Sequence, residues 1–565
     1  ATRVNADGNI EKETQNLFTY SNEFSQTAWA KYLISLTSGQ SGYDGTSDAW
    51  LLEKSGAFGN IYRNLTISGV YTFSVYAKAG SYDFLALRFR NTSNAYRSAY
   101  FDLSSGTLGS VDSNIIKHTI EDVGGGWYRC QIAFNDSATN QVMIYPSDVN
   151  NGIGNSGTGN IYIQDAQLEQ GLVARDYIET TTAAVEGGIT DNVPRLDYTD
   201  SSCPALLLEP QRRNLIPHSE YIDGLNVFYA TTSFDDVTSP EGTNGVYEIT
   251  TTTTTQNHFV SNDNIVSPST TFTISGYFKK STKRYCSIGI NQRTSGGSYI
   301  GSYTQIFDLD TATWGNGIEE GTHPTYVNKD FVDAGNGWYR LILTCTLGAT
   351  AGILRSVYGI ANSSTSTFYG GSNTDAIYLW GVQAEDNGAG GGTSYATSYI
   401  PTYGTSVTRV QDSFYGNNYQ ANNIFGTNSG SIFFDFGDDF TLFDGVSNSS
   451  PIDRMQFVDI TSYGGGYFRF RGGETNHYLQ LVNMNAGDTT LTFGLQTKYC
   501  ICWDSNGVNF YGNGALIDST TIGIVPSINR IESGLSGTQR ETRIKEILFF
   551  TTKLSSQEAI ALTTI

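Results

Sequence analysis

The sequence is short of the residues from which most catalytic and metal centres are built. Its five histidines (His118, His218, His258, His323, His477) are scattered along 565 residues with no HxH or HExxH spacing. A nucleophilic triad and a zinc site both need histidine paired with other groups. The six cysteines (Cys130, Cys203, Cys286, Cys345, Cys500, Cys502) include no CxxC pair. They are too few and too scattered for a disulfide framework, which leaves the redox compartment open. Cys500 and Cys502 place two thiols on one face of a strand and read as core filler rather than metal ligands. No apolar run approaches the ~18 residues that a bilayer-spanning helix requires. The acid-x-acid-x-x-acid strand of sandwich glycanases and the Gln-x-His of sandwich lyases are missing, although a glycosidase must hold two carboxylates across a sugar. Gly124-Gly125-Gly126 and Gly464-Gly465-Gly466 lack the following Lys-Ser/Thr and helix of a phosphate loop, and read as turns. The expectation is a protein that is not an enzyme.

Positive charge is also scarce. Lys plus Arg number 33 against 54 Asp plus Glu, a net charge of −21. Such a surface repels polyanions, so neither nucleic acid nor an anionic membrane is an expected partner. No Lys/Arg cluster along the chain is longer than Arg212–Arg213. Neutral glycans, proteins and divalent cations remain compatible ligands. The chain opens on Ala1 with neither Met nor a signal peptide, as a processed or partial product would.

What the chain has in quantity is Gly (62) and Tyr (36), with Thr, Ser and Asn, while amphipathic helical periodicity is almost absent. That is the composition of strands and tight turns. An internal repeat sets the organisation. Asn16-Leu17 with Ser21 returns as Asn214-Leu215 with Ser219, and Tyr71–Lys78 returns as Phe272–Lys279. Phe101-Asp102-Leu103 returns as Phe307-Asp308-Leu309, and Gly126-Trp127-Tyr128-Arg129 as Gly337-Trp338-Tyr339-Arg340. Gln167-x-Glu169 and Tyr177-Ile178 return as Gln383-x-Glu385 and Tyr399-Ile400. Order is kept and the spacing between copies grows along the chain, as loop insertions in one fold produce. Within each copy the apolar period is two, so Tyr71, Phe73 and Val75 are expected inside and Thr72 and Ser74 outside.

The fold class read from this is all-β: three tandem β-sandwich, jelly-roll-like modules, two of them repeats, with one short C-terminal helix. The divisions are a connector tail (1–15), module 1 (16–180), a connector (181–213), module 2 (214–402), a connector (403–430) and a third sandwich (431–565). Thr408-Arg409-Val410 echoes Thr2-Arg3-Val4, so the chain is expected to begin in the tail of a connector. In the third part, Asp504–Gly507 reads as a hairpin turn. Ser555 with Glu558 forms a capping box that opens a helix over Ser556–Leu562.

The closing pieces, Tyr499–Trp503, Asp504–Gly507, Asn513-Gly514 and Leu554–Leu562, resemble the concanavalin A/laminin-G-like superfamily. The strings "NLFTYSNEFSQTAW", "VPRLDYTDSSCPALLLEPQRRNLI", "GGGWYR", "QDAQLEQG" and "SYIPTYGTSVTRVQDSF" resemble the carbohydrate-binding-module-like sandwiches of tailed-phage head-spike, head-fibre and tail-fibre proteins. That resemblance implies a virion surface appendage, oligomeric, in contact with other virion proteins and with host-surface or environmental glycans that it does not cleave. It supplies no binding residue. Two other functions compete: a secreted bacterial glycan-binding adhesin, and the non-catalytic modules of a carbohydrate-active enzyme. A homo-oligomer, a trimer first, is expected because Leu206–Leu208 is too apolar to lie bare in water.

Candidate site residues are few. Trp127 and Trp338 open a strand at the same place in each repeat, which fits a structural anchor better than a sugar platform. Trp29 and Trp50 lie in less regular sequence and are the platform candidates for ligand binding. Asp102 and Asp308 each follow a Phe at matching positions. A strand-end turn is the first reading for them, and a shared calcium site is the alternative. No other cofactor is expected.

Overall fold

The computed structural model describes residues 2–412, except 156, 191–192, 200–201, 389 and 394. Beyond these it describes 415–417, 429–436, 452–458, 467–472, 476–482, 489–494, 497–521, 530–533 and 542–564. Gly464-Gly465-Gly466, the side chain of His477 and much of the 403–430 connector lie outside the described residues. The described chain is almost wholly strand, in three two-layered units joined by short pairings of the connectors.

In module 1, β1 (Asn60–Ala79), β2 (Phe84–Asn91), β3 (Tyr96–Asp102), β4 (Trp127–Ser147) and β5 (Gly159–Gln170) carry the frame. The long strands β1 and β4 pair along their whole length and cross from one layer to the other. The register breaks between Asp136, Thr139 and Gln141, where β1 passes through Gly69 at φ 112°. One half of β4 then pairs with β2, and one half of β1 pairs with β5. Phe73, Val75, Ile132, Phe134, Leu85, Leu87 and Ile144 fill the space between the layers. Each such side chain contributes about 1.5–3 kcal/mol by leaving water.

The connector strand β6 (Ala205–Leu208) follows. Module 2 then repeats the frame with each long strand cut in two. The counterparts are β7 (Thr255–Ile265) with β8 (Thr271–Lys280), β9 (Tyr285–Arg293), β10 (Tyr299–Asp308), β11 (Trp338–Thr346) with β12 (Ile353–Ala361), and β13 (Ala376–Asp386). The inner layer joins β13, β8 and β11, and the outer layer joins β7, β12, β9 and β10 in that order. Trp127 lies opposite Lys78 and Trp338 opposite Lys279, so the two tryptophans occupy equivalent strand positions.

One expectation needs correction. Thr72 and Ser74 are each 1% exposed, not outward in water. Their face is covered by the chain that leaves β5, where Thr72 Oγ1 donates to the Gly171 carbonyl at 2.9 Å. Thr273 and Ser275 are buried in the same way in module 2.

The third unit has a five-stranded sheet that contains β14 (Gly430–Asp435), β15 (Lys498–Asp504), β16 (Gly507–Gly512) and, past β17 (Thr542–Ile544), β18 (Glu546–Phe550). A six-stranded sheet makes up the rest of the unit. Helix α1 (Ser556–Thr563) runs one residue beyond its predicted end and is capped by the Ser555/Glu558 box. It packs Ala559 against Cys500, Cys502 and Tyr511. The two thiols are buried with their sulfurs 3.5 Å apart, as core.

The connectors are sewn to the modules. β6 pairs with β17, setting Leu206 opposite Ile544, and Leu207 and Leu208 are 2% and 4% exposed. The apolar run that suggested a homo-oligomer is therefore covered by its own chain, and that reason for one falls away.

Candidate functional site

The repeated motifs build a latch, and they build it twice. Asn16 Nδ2 donates to the carbonyls of Ala166 (3.3 Å) and Ile178 (2.8 Å), and Asn214 Nδ2 to those of Val382 (3.3 Å) and Ile400 (2.9 Å). Oδ1 of Asn16 accepts from the Phe18 and Leu168 amides, and that of Asn214 from the Ile216 and Ala384 amides. Gln167 donates to Glu169 and accepts from the Ile178 amide, as Gln383 does with Glu385 and the Ile400 amide. All four anchors are buried. The most repetitive residues thus tie the first segment of each module to its last, and leave no group free for a ligand.

Module 1 departs from module 2 at one point of this latch. Where Gly381 bends β13 at φ 60°, Asp165 bends β5 at φ 54°. Asp165 Oδ2 accepts from Tyr43 Oη at 2.9 Å. Burial pushes its carboxyl up to about 7, with Asp48 and Asp44 adding to the shift and the Tyr43 and Tyr177 hydroxyls opposing it.

The candidate residues from sequence fall elsewhere than expected. Trp29 is 0% and Trp50 8% exposed, and both belong to the core of module 1. Their indole N–H groups donate to the Tyr20 and Asn22 carbonyls. Neither ring offers a face to a sugar, because the Phe24 ring packs against both. Trp127 and Trp338 are buried anchors. Asp102 Oδ1 accepts from Ser104 and Ser105 in a strand-end turn. Asp308 is taken by Arg284 in a bidentate pair (2.7 and 2.5 Å), which holds its carboxyl down at about 2. Among the described residues no group of three or more His, Cys, Asp or Glu is arranged to hold a metal ion. His258 is wedged between the Tyr229 and Tyr369 carbonyls, and His323 faces Glu319 at 3.4 Å.

The two modules also differ on the outer face of the outer layer. Phe84 opposite Asp102, and Tyr285 opposite Asp308, fix the correspondence of positions. One row of module 1 then reads Tyr62, Met143, Arg88, Ser98. The same row of module 2 reads Ser261, Val357, Gly289, Thr304. The next row places Gln141, Arg90 and Tyr96 against Arg355, Asn291 and Ser302. On the other side, Tyr145, Ala86 and Tyr100 stand against Gly359, Ser287 and Ile306.

Small residues hollow the face of module 2. A Cβ on Gly289 would lie 2.6 Å from Thr304 Oγ1, and one on Gly359 2.9 Å from the His258 carbonyl. A pocket of about 80 Å³ opens there, lined by Ser287, Asn291, Ser302, Thr304 and Glu320 among others. Asn291 Oδ1 and Ser261 Oγ are buried without a hydrogen-bond partner. Buried polar atoms are ordinarily paired, so such atoms call for a water or a ligand. Aromatic rings flank the hollow. Tyr299 is 47% exposed and hydrogen-bonds Ser302 Oγ at 3.2 Å, and Phe368 is 55% exposed. Phe228 stacks on Phe259 at 4.8 Å.

No protein-family model matches the chain, and no curated protein matches it. Among solved structures it is similar to the N-terminal CBM22-1–CBM22-2 tandem of Paenibacillus barcinonensis Xyn10C, at 11% identity over 65% of this chain and 97% of that one, TM-score 0.19. It is also similar to a glycoside hydrolase family 32 protein of Bifidobacterium adolescentis, at 6% identity over 87% of this chain and 99% of that one, TM-score 0.17. Likenesses this distant carry no weight for function. The fold rests on the sheets themselves.

Larger clefts of about 620 and 1020 Å³ lie along the seams between modules and connectors. Buried ion pairs run along their walls. Lys12 Nζ reaches Glu220 (2.6 Å) and Glu241 (2.5 Å), and Arg175 reaches Glu241 (2.9 Å) and Glu169 (3.4 Å). Glu241 is held down at about 2, since Arg175 and Lys12 outweigh its burial. A second cluster joins Arg195 and Arg409 to Glu209 at 2.8 and 2.6 Å. These residues tie the modules to the connectors. Sequence alone could not have found either joint, because the partners sit as many as 208 positions apart.

Proposed function

We propose that the chain is a non-catalytic, surface-binding protein whose module 2 holds neutral saccharide on its outer sheet face. The observation that carries this reading is the hollow over Gly289 and Gly359. A duplicated frame keeps its core and latch, yet in one copy Gly289 and Gly359 stand where the other has Arg88 and Tyr145. What remains is hydroxyl and amide groups beside exposed rings. A pyranose offers the matching chemistry, hydroxyls around the edge and an apolar face for Tyr299 or Phe368 to cover. The hollow is lined by one carboxylate, Glu320, whereas hydrolysis needs two placed across a sugar. This supports the reading of binding without cleavage.

The connector string Val193–Ile216 and its resemblance to tailed-phage fibre and spike proteins favour a virion surface appendage that presents these modules to host or environmental glycans. A secreted adhesin would use the same face in the same way. The buried joints around Lys12 and Glu209 suit either, because a rigid tandem raises the effective concentration of a second weak contact. Calorimetric titration of the full chain with neutral oligosaccharides tests the reading. Millimolar or tighter binding that disappears in Asn291→Arg is expected. Binding that persists in that variant places the site elsewhere, and no binding to any neutral oligosaccharide overturns the proposal.

A further inference from the structure

We infer that the outer face of module 1 is a second binding site, built for a saccharide that carries a carboxylate. It rests on the reading of these modules as glycan binders, but on different residues. Arg88 and Arg90 converge on the Tyr96 ring, while Arg97, opposite Phe89, lies on the other face of the strand. The Arg88 guanidinium lies 4.1 Å and that of Arg90 5.8 Å from the centre of the Tyr96 ring, and Arg97 Nη1 donates to the Tyr96 carbonyl at 2.8 Å. On its other side Arg88 faces the Tyr145 ring at 6.0 Å. None of the three arginines comes within 4 Å of a carboxylate among the described residues. Asp112, close by on the sheet edge, is engaged by the Ser98 amide at 2.8 Å. Arg88 Nε and Arg97 Nε are buried without a hydrogen-bond partner.

Two like charges on one ring repel each other, and in a chain with 54 acidic residues a local counter-charge would be easy to supply. Packing is the competing explanation for the arginines. The second copy argues against it, since it keeps the same frame with Gly289 in place of Arg88 and Asn291 in place of Arg90. Arg90 donates from Nε to Asn140 Oδ1 at 3.1 Å and from Nη1 to the Tyr96 hydroxyl at 3.5 Å, so the groups that would meet a carboxylate are its Nη2 and the terminal nitrogens of Arg88. Tyr96, 37% exposed, and the half-buried Tyr62 supply apolar area for the sugar ring. The net charge of −21 selects among anions. A long polyanion would meet the acidic remainder of the surface. A short oligosaccharide with one acidic group feels mainly what lies within a Debye length, ~8 Å at physiological salt.

The test titrates the full chain with a short oligogalacturonate and with sialyllactose, which distinguish a uronate from a sialate, and with a neutral galacto-oligosaccharide. The expected result is that at least one acidic sugar binds, more weakly as salt rises. The double substitution Arg88→Gln/Arg90→Gln should lower that affinity about tenfold or more, as loss of charge-assisted hydrogen bonds does. Arg88→Lys, which keeps the charge without the fork, should restore it only in part. Asn291→Arg, which blocks module 2, should leave acidic-sugar binding intact. Retained binding of the neutral sugar by the double variant shows that the protein is folded. Failure of the neutral sugar alone would count against the module 2 reading and not against this site. Absence of binding by both acidic sugars, or binding unchanged in Arg88→Gln/Arg90→Gln, overturns the inference.

Discussion

The hydroxyls of Ser219 and Tyr399 lie 2.6 Å apart, and those of Ser21 and Tyr177, their counterparts in the first module, lie 2.6 Å apart as well. Ser219 Oγ also accepts from the Thr402 amide at 2.8 Å, as Ser21 Oγ does from Thr180. Conserving this bond across the repeat shows where the frame is closed. The chain leaving each module is pinned to the chain arriving.

Breaking the closure should cost stability without touching any binding face. Asn214→Ala removes donors and acceptors for four buried backbone groups. A loss of about 2–4 kcal/mol is expected, since stranded buried groups carry their full desolvation penalty. Urea unfolding of module 2, followed by its tryptophan fluorescence, measures it, and saccharide binding below the transition should be unchanged.

The inter-module joint should respond more sharply. Lys12 is fully buried between Glu220 and Glu241. Burial and Arg175 push against its charge, but the two carboxylates prevail and hold it well above the ordinary lysine range. Lys12→Met leaves Glu220 and Glu241 buried with one cation fewer. A loss of about 3–5 kcal/mol is expected, as for other broken buried pairs. Small-angle scattering should show the modules parting before either sandwich melts.

Asp165 should give the chain a distinctive pH dependence. Its folded carboxyl titrates at about 7, against about 3.9 in an unfolded chain. Its contribution is therefore fully present below ~4 and is lost as pH rises through ~7. Asp165→Asn stays neutral and tolerates the left-handed backbone. The variant should match the parent near pH ~4 and exceed it by about 2–4 kcal/mol near pH ~8. Denaturant midpoints at the two pH values decide the matter.

Much of this architecture was legible in the sequence, and for physical reasons. Alternating apolar residues and glycine-rich turns made an all-β chain plain, and the ordered recurrence of Asn16, Trp127 and Gln167 as Asn214, Trp338 and Gln383 marked the duplication. The Ser555/Glu558 box located the helix to within one residue. The binding faces were not legible. Trp29 and Trp50 looked like platforms because irregular sequence surrounded them, yet irregular segments also fold inward, and both rings are core. Arg88 and Arg90 never stood out, because they are not adjacent in sequence; only the pairing of two strands brings both to the Tyr96 ring. The hollow of module 2 is made by what Gly289 and Gly359 lack, and its place becomes visible only when the registers of the two copies are set side by side.

The central claim is that two copies of one frame bind different saccharides on their outer faces and cleave neither. Chemical-shift mapping on the full chain, with a neutral galacto-oligosaccharide and a short oligogalacturonate added in turn and the sugars then examined by mass spectrometry, tests it most directly. The account predicts that the neutral sugar perturbs Asn291, Ser302 and Thr304, that the acidic sugar perturbs Tyr62, Arg88 and Tyr96, and that both sugars are recovered at their starting length. Shifts confined to the loops or to the inter-module seams, or recovery of shortened sugars, would contradict it.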